Sequence, residues 1–371
     1  MFPALLILFL AYLLLVSYYT YQWNRVPGFI ARDTKQKRGV SVLIPARNEE
    51  NNIGALLVAL QGQQYPSELI EVIVIDDGSN DNTTSIVQQF SFATLLQPGD
   101  TNGAAGKKQA LKAGIEKASN EWIITIDADS IPGPEWISTI NDFIDQQGEI
   151  ICVVGPVTLT TIDNNLLQAF QRYDHLMFQG ITAAAIGSGL HALGNGANLC
   201  YRKDAFHSVG GFEGIDQLAS GDDILLVEKF MQQYPGQVQF LKSKKAIVKT
   251  TACANWKELW QQRVRWVSKA GSYKNSRLHL AQWITGGFNA VLLIQSAWCL
   301  LNPEDLKPTI SIWILKAIIE WMLIAPVAKL YREPKNGLVF FMLQPIHACY
   351  LIAVGIWGMR KTYRWKERTV H

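Results

Sequence analysis

The sequence predicts an α/β domain built on a mostly parallel sheet, with membrane helices at both ends of the chain. Two observations carry this. Between about residues 40 and 275, short apolar runs rich in Val and Ile alternate with segments of helical spacing, and that alternation implies a parallel sheet. At the two ends, long apolar stretches raise the mean hydropathy to +0.07.

The first element is "FPALLILFLAYLLLVSYY", Phe2 to Tyr19, 18 residues without a charge. That is near the minimum length for a bilayer span. It lacks the basic start and small-residue cleavage site of a signal peptide. The basic residues Arg25, Arg32, Lys35, Lys37 and Arg38 follow it. By the positive-inside rule the chain beyond about residue 22 begins in the cytoplasm. We divide the chain into a membrane helix at 1–22, a basic linker at 23–39, a catalytic-type domain at 40–275 and a membrane region at 276–371.

Within the middle domain "VSVLIP" reads as a strand stopped by Pro45, and "NNIGALLVALQGQ" as the helix after it. "EVIVID" is a second buried strand, followed by the helical "NTTSIVQQF". "ATLLQ" suggests a third strand, "KKQALKAGIEKA" a helix, and "WIITIDAD" a fourth strand. Apolar segments at about 284–301, 309–328 and 338–358 close the chain as two or three further spans. The second holds Lys316 and Glu320, spaced i,i+4. Such a pair either neutralises itself inside a bundle or marks an interfacial helix. Four full spans would place the basic tail outside, against the positive-inside tendency, so one segment is expected to be re-entrant or interfacial.

The net charge is only +3, which excludes nucleic acid as the main partner. Five scattered cysteines without a C-x-x-C pair fit free thiols in a reducing compartment.

The chemistry sits at strand ends: "PARNEE", "DDGSND" and "DADS". In parallel sheets ligands bind beyond the carboxyl ends of the strands. Asp76 and Asp77 precede a glycine turn, and an ordinary turn explains them equally well. Gly103, Gly106, Lys107 and Lys108 open a helix, where backbone amides and ammonium groups suit phosphate; a solvated basic helix start is the plainer reading. In extended chain Asp127 and Asp129 would point the same way, roughly 6–7 Å apart at Cα. Two such carboxylates hold a hard cation, Mg2+ or Mn2+, together with diphosphate oxygens. The alternative is that both acids cap the next helix. Asp222 and Asp223 precede a helical pattern, as N-cap acids do, or supply a general base. "WKELWQQRVRWVSKAG" reads as an amphipathic helix dense in Trp and Arg.

"IPARNEE", "VIVIDDGSNDNT", "GKKQAL", "IDAD", "GNGAN", "GDD" and "QRVRW" together resemble the membrane-bound inverting glycosyltransferases of family 2. That group includes ceramide glucosyltransferases and cellulose and hyaluronan synthases. The resemblance covers about residues 38–270 and implies a GT-A fold, Rossmann-like, that binds a nucleotide-sugar, most often a UDP-sugar. It places Asp76, Asp77 and Glu49 at the nucleoside, Lys107 beside the nucleotide, and Asp127 and Asp129 at a divalent metal (Mg2+ or Mn2+), Asp129 as direct ligand. Asp223 takes the position of the catalytic base, beside Asp222, where many relatives carry Glu. Asn195 and Asn198, in "GNGAN", line the sugar and acceptor side, and Gln262, Arg265 and Trp266 match Q-x-x-R-W near the diphosphate. Lys112 stands where relatives often have Asn.

The resemblance implies transfer of a sugar, with inversion, to a lipid or lipid-linked acceptor by an integral membrane protein. Its catalytic domain would face the cytoplasm, as in a bacterial inner membrane. The readings left open are a processive polysaccharide synthase, a non-catalytic membrane protein that binds nucleotide-sugars, and a nucleotidyltransferase.

Overall fold

The computed structural model describes residues 2–32, 34, 36–98, 106–161, 165–216, 221–359, 363–365 and 368–370. Gly103, Lys35 and the side chain of Asp222 lie outside that description, as do residues 360–362, 366, 367 and 371 of the basic tail. The chain forms two compact units, each interrupted in sequence: Val26–Thr160 with Ala192–Thr251, and Met1–Arg25 with Thr161–His191 and Ala252–His371. This differs from the expected continuous domain at 40–275. Two helices inside that range, Leu166–Gly187 and Trp256–Val267, belong to the helical unit.

The first unit holds strands β1 (Val40–Ala46), β2 (Ile70–Asp76), β3 (Ala93–Leu96), β4 (Trp122–Thr125), β5 (Ser130–Pro132), β6 (Cys152–Val154), β7 (Val157–Thr160), β8 (Leu199–Arg202), β9 (Val238–Phe240) and β10 (Val248–Thr251). Seven of them form one sheet, in the order β3-β2-β1-β4-β8-β6-β9. β1 to β4 are mutually parallel where they pair, as the alternating pattern predicts. β8 runs antiparallel to both β4 and β6, so the sheet is mixed. The crossover helices Ile53–Gln61, Thr83–Val87 and Gly106–Lys117 lie between the parallel strands in sequence. Crossovers of this kind cover a sheet and bury its strands on both sides. Val42, Leu43 and Ile44 are accordingly all buried, as are Val72 to Ile75.

The fourth strand is shorter than expected. β4 stops at Thr125, although the Ile126 amide still donates to Leu43 O at 3.2 Å. The chain then turns, the Ser130 amide donating to Asp127 O at 3.0 Å. Asp127 therefore opens a turn and Asp129 lies within it, and the two do not alternate along a strand. The turn delivers the chain into β5, which pairs antiparallel with β10 in a second sheet of order β5-β10-β7.

Among the described residues of the helical unit, three helices are long and apolar enough to cross a membrane: Phe2–Arg25, Pro303–Tyr331 and Gly337–Gly358. The segment expected at about 284–301 lies in the helix Ser276–Trp298, which is not among them. That helix carries Asn289 and Gln295, both fully buried, and they dilute its apolar character. Leu5, Phe9, Tyr12, Val16, Phe288, Leu292, Ile312 and Ile319 form one apolar cluster in this unit. Lys316 and Glu320 take the first of their two readings. Both are buried, they pair at 2.6 Å, and Tyr12 donates to Glu320 at 2.5 Å. Gln344 completes the group, accepting from Lys316 and donating to Glu320.

Candidate functional site

The carboxyl ends of β1 and β2 are tied to each other. In the loop after β1, Asn48 has φ 52, a left-handed conformation that Asn tolerates better than most residues. Its amide donates to Ser79 Oγ at 2.9 Å, and its own Oδ1 accepts from the Asn80 amide at 3.0 Å. The Glu49 amide donates to Thr83 Oγ1 at 2.8 Å, and its carboxylate accepts from Asn52 Nδ2 at 2.8 Å. Asp76 is buried and accepts the Ser79 amide at 3.2 Å, so one part of its work is holding the turn. Asp77 is buried beside it.

Arg47 is a site residue that the motifs did not single out. Its Nη1 donates to Asp77 O at 2.6 Å and lies 3.9 Å from Asp77 Oδ2. The available signal was a lone cation just beyond Pro45, in a chain segment otherwise full of acids.

The helix Gly106–Lys117 begins against Asp77. A Cβ on Gly106 would lie 2.6 Å from Asp77 Oδ2, so the close approach of carboxylate and helix start depends on that glycine. One residue on, the Lys107 ammonium pairs with Asp127 Oδ1 at 2.8 Å. The same ammonium is 3.7 Å from the point where a side chain on Gly196 would begin, and Asp223 Oδ2 is also 3.7 Å from that point. Lys107 and Asp223 thus both border the space beside Gly196. Three segments far apart in sequence, around Lys107, Asp127 and Asp223, meet in one place.

Asp223 lies in the first turn of the helix Asp222–Gln233. Its Oδ2 accepts the Gly196 amide at 3.0 Å and its Oδ1 accepts the Ile224 amide at 2.8 Å. An ionised carboxylate has about four acceptor positions, and the described residues fill two of them. Asn195 accepts from the Ala197 amide at 3.1 Å, which shapes the loop that presents Gly196. Asn198 follows in the same loop. It is buried, donates to Pro156 O at 2.8 Å and to Ala246 O at 2.9 Å, and accepts from Trp136 Nε1 at 3.0 Å. Its amide is engaged inside the fold and supports the loop.

Asp127, Asp129 and Glu49 form an acidic neighbourhood. Burial, then Asp127, then Glu49 push the Asp129 carboxyl up to about 6, against the Ser130 hydroxyl and Lys107. Carboxylates that repel one another in this way suit a cation, and an all-oxygen set suits Mg2+ or Mn2+. Among the described residues no three His, Cys, Asp or Glu side chains close on one metal position, so a cation here would need further oxygens from substrate or water.

Gln262, Arg265 and Trp266 belong to the helical unit, on the helix Trp256–Val267, and all three are half-buried. Within that unit Trp266 packs near Phe178, ring centroids 6.0 Å apart, and Arg263 stacks over its ring at 4.1 Å.

Residues 41–209 match the family model described as Glycosyl transferase family 2. It is 28% identical over 254 residues to YdaM of Bacillus subtilis, named a probable glycosyltransferase, covering 67% of this chain and 59% of that protein. It is 32% identical over 194 residues to the glycosyltransferase AglE of Haloferax volcanii, covering 50% and 59% respectively. The chain thus spans under two-thirds of either relative. Among solved structures, the mannosyltransferase PcManGT from Pyrobaculum calidifontis, in complex with GDP-Man and Mn2+, aligns with a TM-score of 0.60 and 18% identity. That alignment covers 96% of this chain and 98% of the other, and the shared fold is of the GT-A kind.

Proposed function

We propose that the chain transfers a sugar from a nucleotide-sugar to a hydroxyl of a membrane-associated acceptor, with inversion at the anomeric carbon. The observation that carries this reading is that Asp223 and Lys107, the latter paired to Asp127, both border the same space beside Gly196. A candidate base, a cation for phosphate and the paired acids converge beyond the strand ends.

Asp223 removes the proton from the acceptor oxygen as that oxygen attacks. The amides of Gly196 and Ile224 hold its carboxylate in place. Lys107 sits at the diphosphate, and Asp76, Asp77 and Glu49 at the nucleoside. Asp129, with Asp127, would hold Mg2+ or Mn2+, which when bound supplies positive charge to the departing diphosphate. For Gln262, Arg265 and Trp266 the reading rests on the motif alone. Attack from the face opposite the leaving group inverts configuration and needs no covalent sugar–protein species.

Three apolar helices support a membrane setting and a lipid or lipid-linked acceptor. UDP-sugars are the first donors to try, and GDP-mannose joins them because PcManGT was solved with it. The test incubates membranes containing the full chain with labelled UDP- and GDP-sugars and Mn2+ or Mg2+, following label into lipid extract and polymer. Label from one donor in discrete lipid products is expected. A ladder of long chains would favour a synthase instead. No incorporation from any donor would overturn the reading.

A further inference from the structure

The helix bearing Gln262, Arg265 and Trp266 packs chiefly on the helix Gly337–Gly358, and a regular stripe of side chains from the helix Leu166–Gly187 also reaches it. Phe170, Asp174 and Phe178 are spaced i, i+4, i+8, so they share one face. Each meets one residue of the motif helix, in the same order along both. The Phe170 and Trp256 rings are 5.2 Å apart, Asp174 Oδ2 and Arg263 Nη2 2.6 Å, and the Phe178 and Trp266 rings 6.0 Å.

The middle contact differs from the two outer ones. Asp174 and Arg263 are both largely out of water, with side-chain exposures of 16% and 9%. A third partner, His347 on the helix Gly337–Gly358, lies 3.2 Å from Asp174 Oδ1. Burial would raise the Asp174 pKa, yet Arg263 and then His347 and His175 hold it well below the usual carboxylate range. Asp174 therefore stays ionised and anchors Arg263. The Arg263 guanidinium in turn stacks 4.1 Å from the Trp266 ring centroid. A guanidinium plane pinned at one edge by a carboxylate has little freedom to rotate, so the ring beneath it is held as well.

We propose that Asp174 is a positioning residue for the Q-x-x-R-W helix, acting through Arg263 to fix the orientation of the Trp266 indole. This rests on the glycosyltransfer reading. Asp174 touches no reacting atom in it; its effect is on how the motif helix presents Trp266.

The test is a double-mutant cycle on the full chain in detergent. It compares Asp174→Asn, Trp266→Leu and the pair, with Asp174→Glu as the conservative variant. The probes are the donor identified above and extracted membrane lipid in mixed micelles. A misplacement of about an ångström costs up to about a hundredfold, so Asp174→Asn should lose about tenfold or more in kcat. Donor KM should stay within about threefold, and Asp174→Glu should recover most of the loss. The double variant should fall no more than about threefold below Trp266→Leu, because residues acting through one another are not additive. Losses that multiply, a donor KM rising in step, or wild-type turnover by Asp174→Asn would each overturn the proposal. If Asp174→Asn does not fold, Arg263→Lys serves, keeping the charge without the stacking plane. The same loss at an unchanged unfolding temperature supports the proposal, and normal turnover defeats it. A wild-type chain that transfers nothing would bring down the glycosyltransfer reading and this proposal together, whereas an additive cycle in an active enzyme brings down this one alone.

Discussion

Asp223 shows how a single carboxylate serves two demands. Its amide partners at Gly196 and Ile224 fix its position, and the proposed reading asks the same carboxylate to accept a proton. Replacing it with Asn keeps the shape and, on the proposed reading, removes the proton acceptor. Asp223→Asn should lower kcat at least about a hundredfold, the low end for general base catalysis, with donor KM within a few-fold, as read by steady-state kinetics. Asp129 belongs to the same scale. If the acids at 127 and 129 hold a cation that grips the diphosphate, chelation and Asp129→Ala should weaken donor binding and transfer together. Titration of donor with and without chelator checks this, and full transfer in chelator would remove the metal from the account.

At the scale of elements, the question is what holds the loops that carry these residues. Asn198 is the clearest case. Its side chain joins the loop before β8 to Pro156, Ala246 and Trp136. Gly155 packs against the same amide, since a Cβ there would sit 2.2 Å from Asn198 Cγ. Asn198→Ala would leave two carbonyls and an indole N–H buried without these partners. At about 1 kcal/mol or more for each stranded group, the variant should lose about 3 kcal/mol of stability. Thermal unfolding in detergent measures the loss, and an unchanged midpoint would return Asn198 to the ligand side. The turn after β4 is a second such device. Because β4 ends at Thr125, Asp127 and Asp129 are placed by a turn hydrogen bond and not by the pleat.

At the scale of the whole molecule, a buried polar group sits inside the helical unit. Lys316, Glu320, Tyr12 and Gln344 bind one another across the helices Phe2–Arg25, Leu306–Tyr331 and Gly337–Gly358. Removing one partner of a buried ion pair costs about 3–5 kcal/mol, whereas replacing both is often neutral. Lys316→Met should therefore lower the unfolding temperature sharply, and Lys316→Met with Glu320→Leu should recover much of it. A double variant no better than the single would mean that the pair does more than neutralise itself. The stripe of Phe170, Asp174 and Phe178 belongs to the same helical unit and ties the motif helix into it.

The sequence by itself determined the alternation of strands and helices, the acids at the strand ends and the apolar helices at the chain ends. Each of these is a local pattern: side chains repeat every two residues along a strand and every 3.6 along a helix, and burial is written into that period. Tertiary structure decided which faces meet. The antiparallel run of β8, the return of residues 161–191 to the helical unit, the grip of Arg47 on Asp77 and the pairing of Asp174 with Arg263 join positions far apart in sequence. None of these has a period to betray it. An arginine on an amphipathic helix reads alike whether it faces water or a buried carboxylate, and only the packing of the second helix settles which.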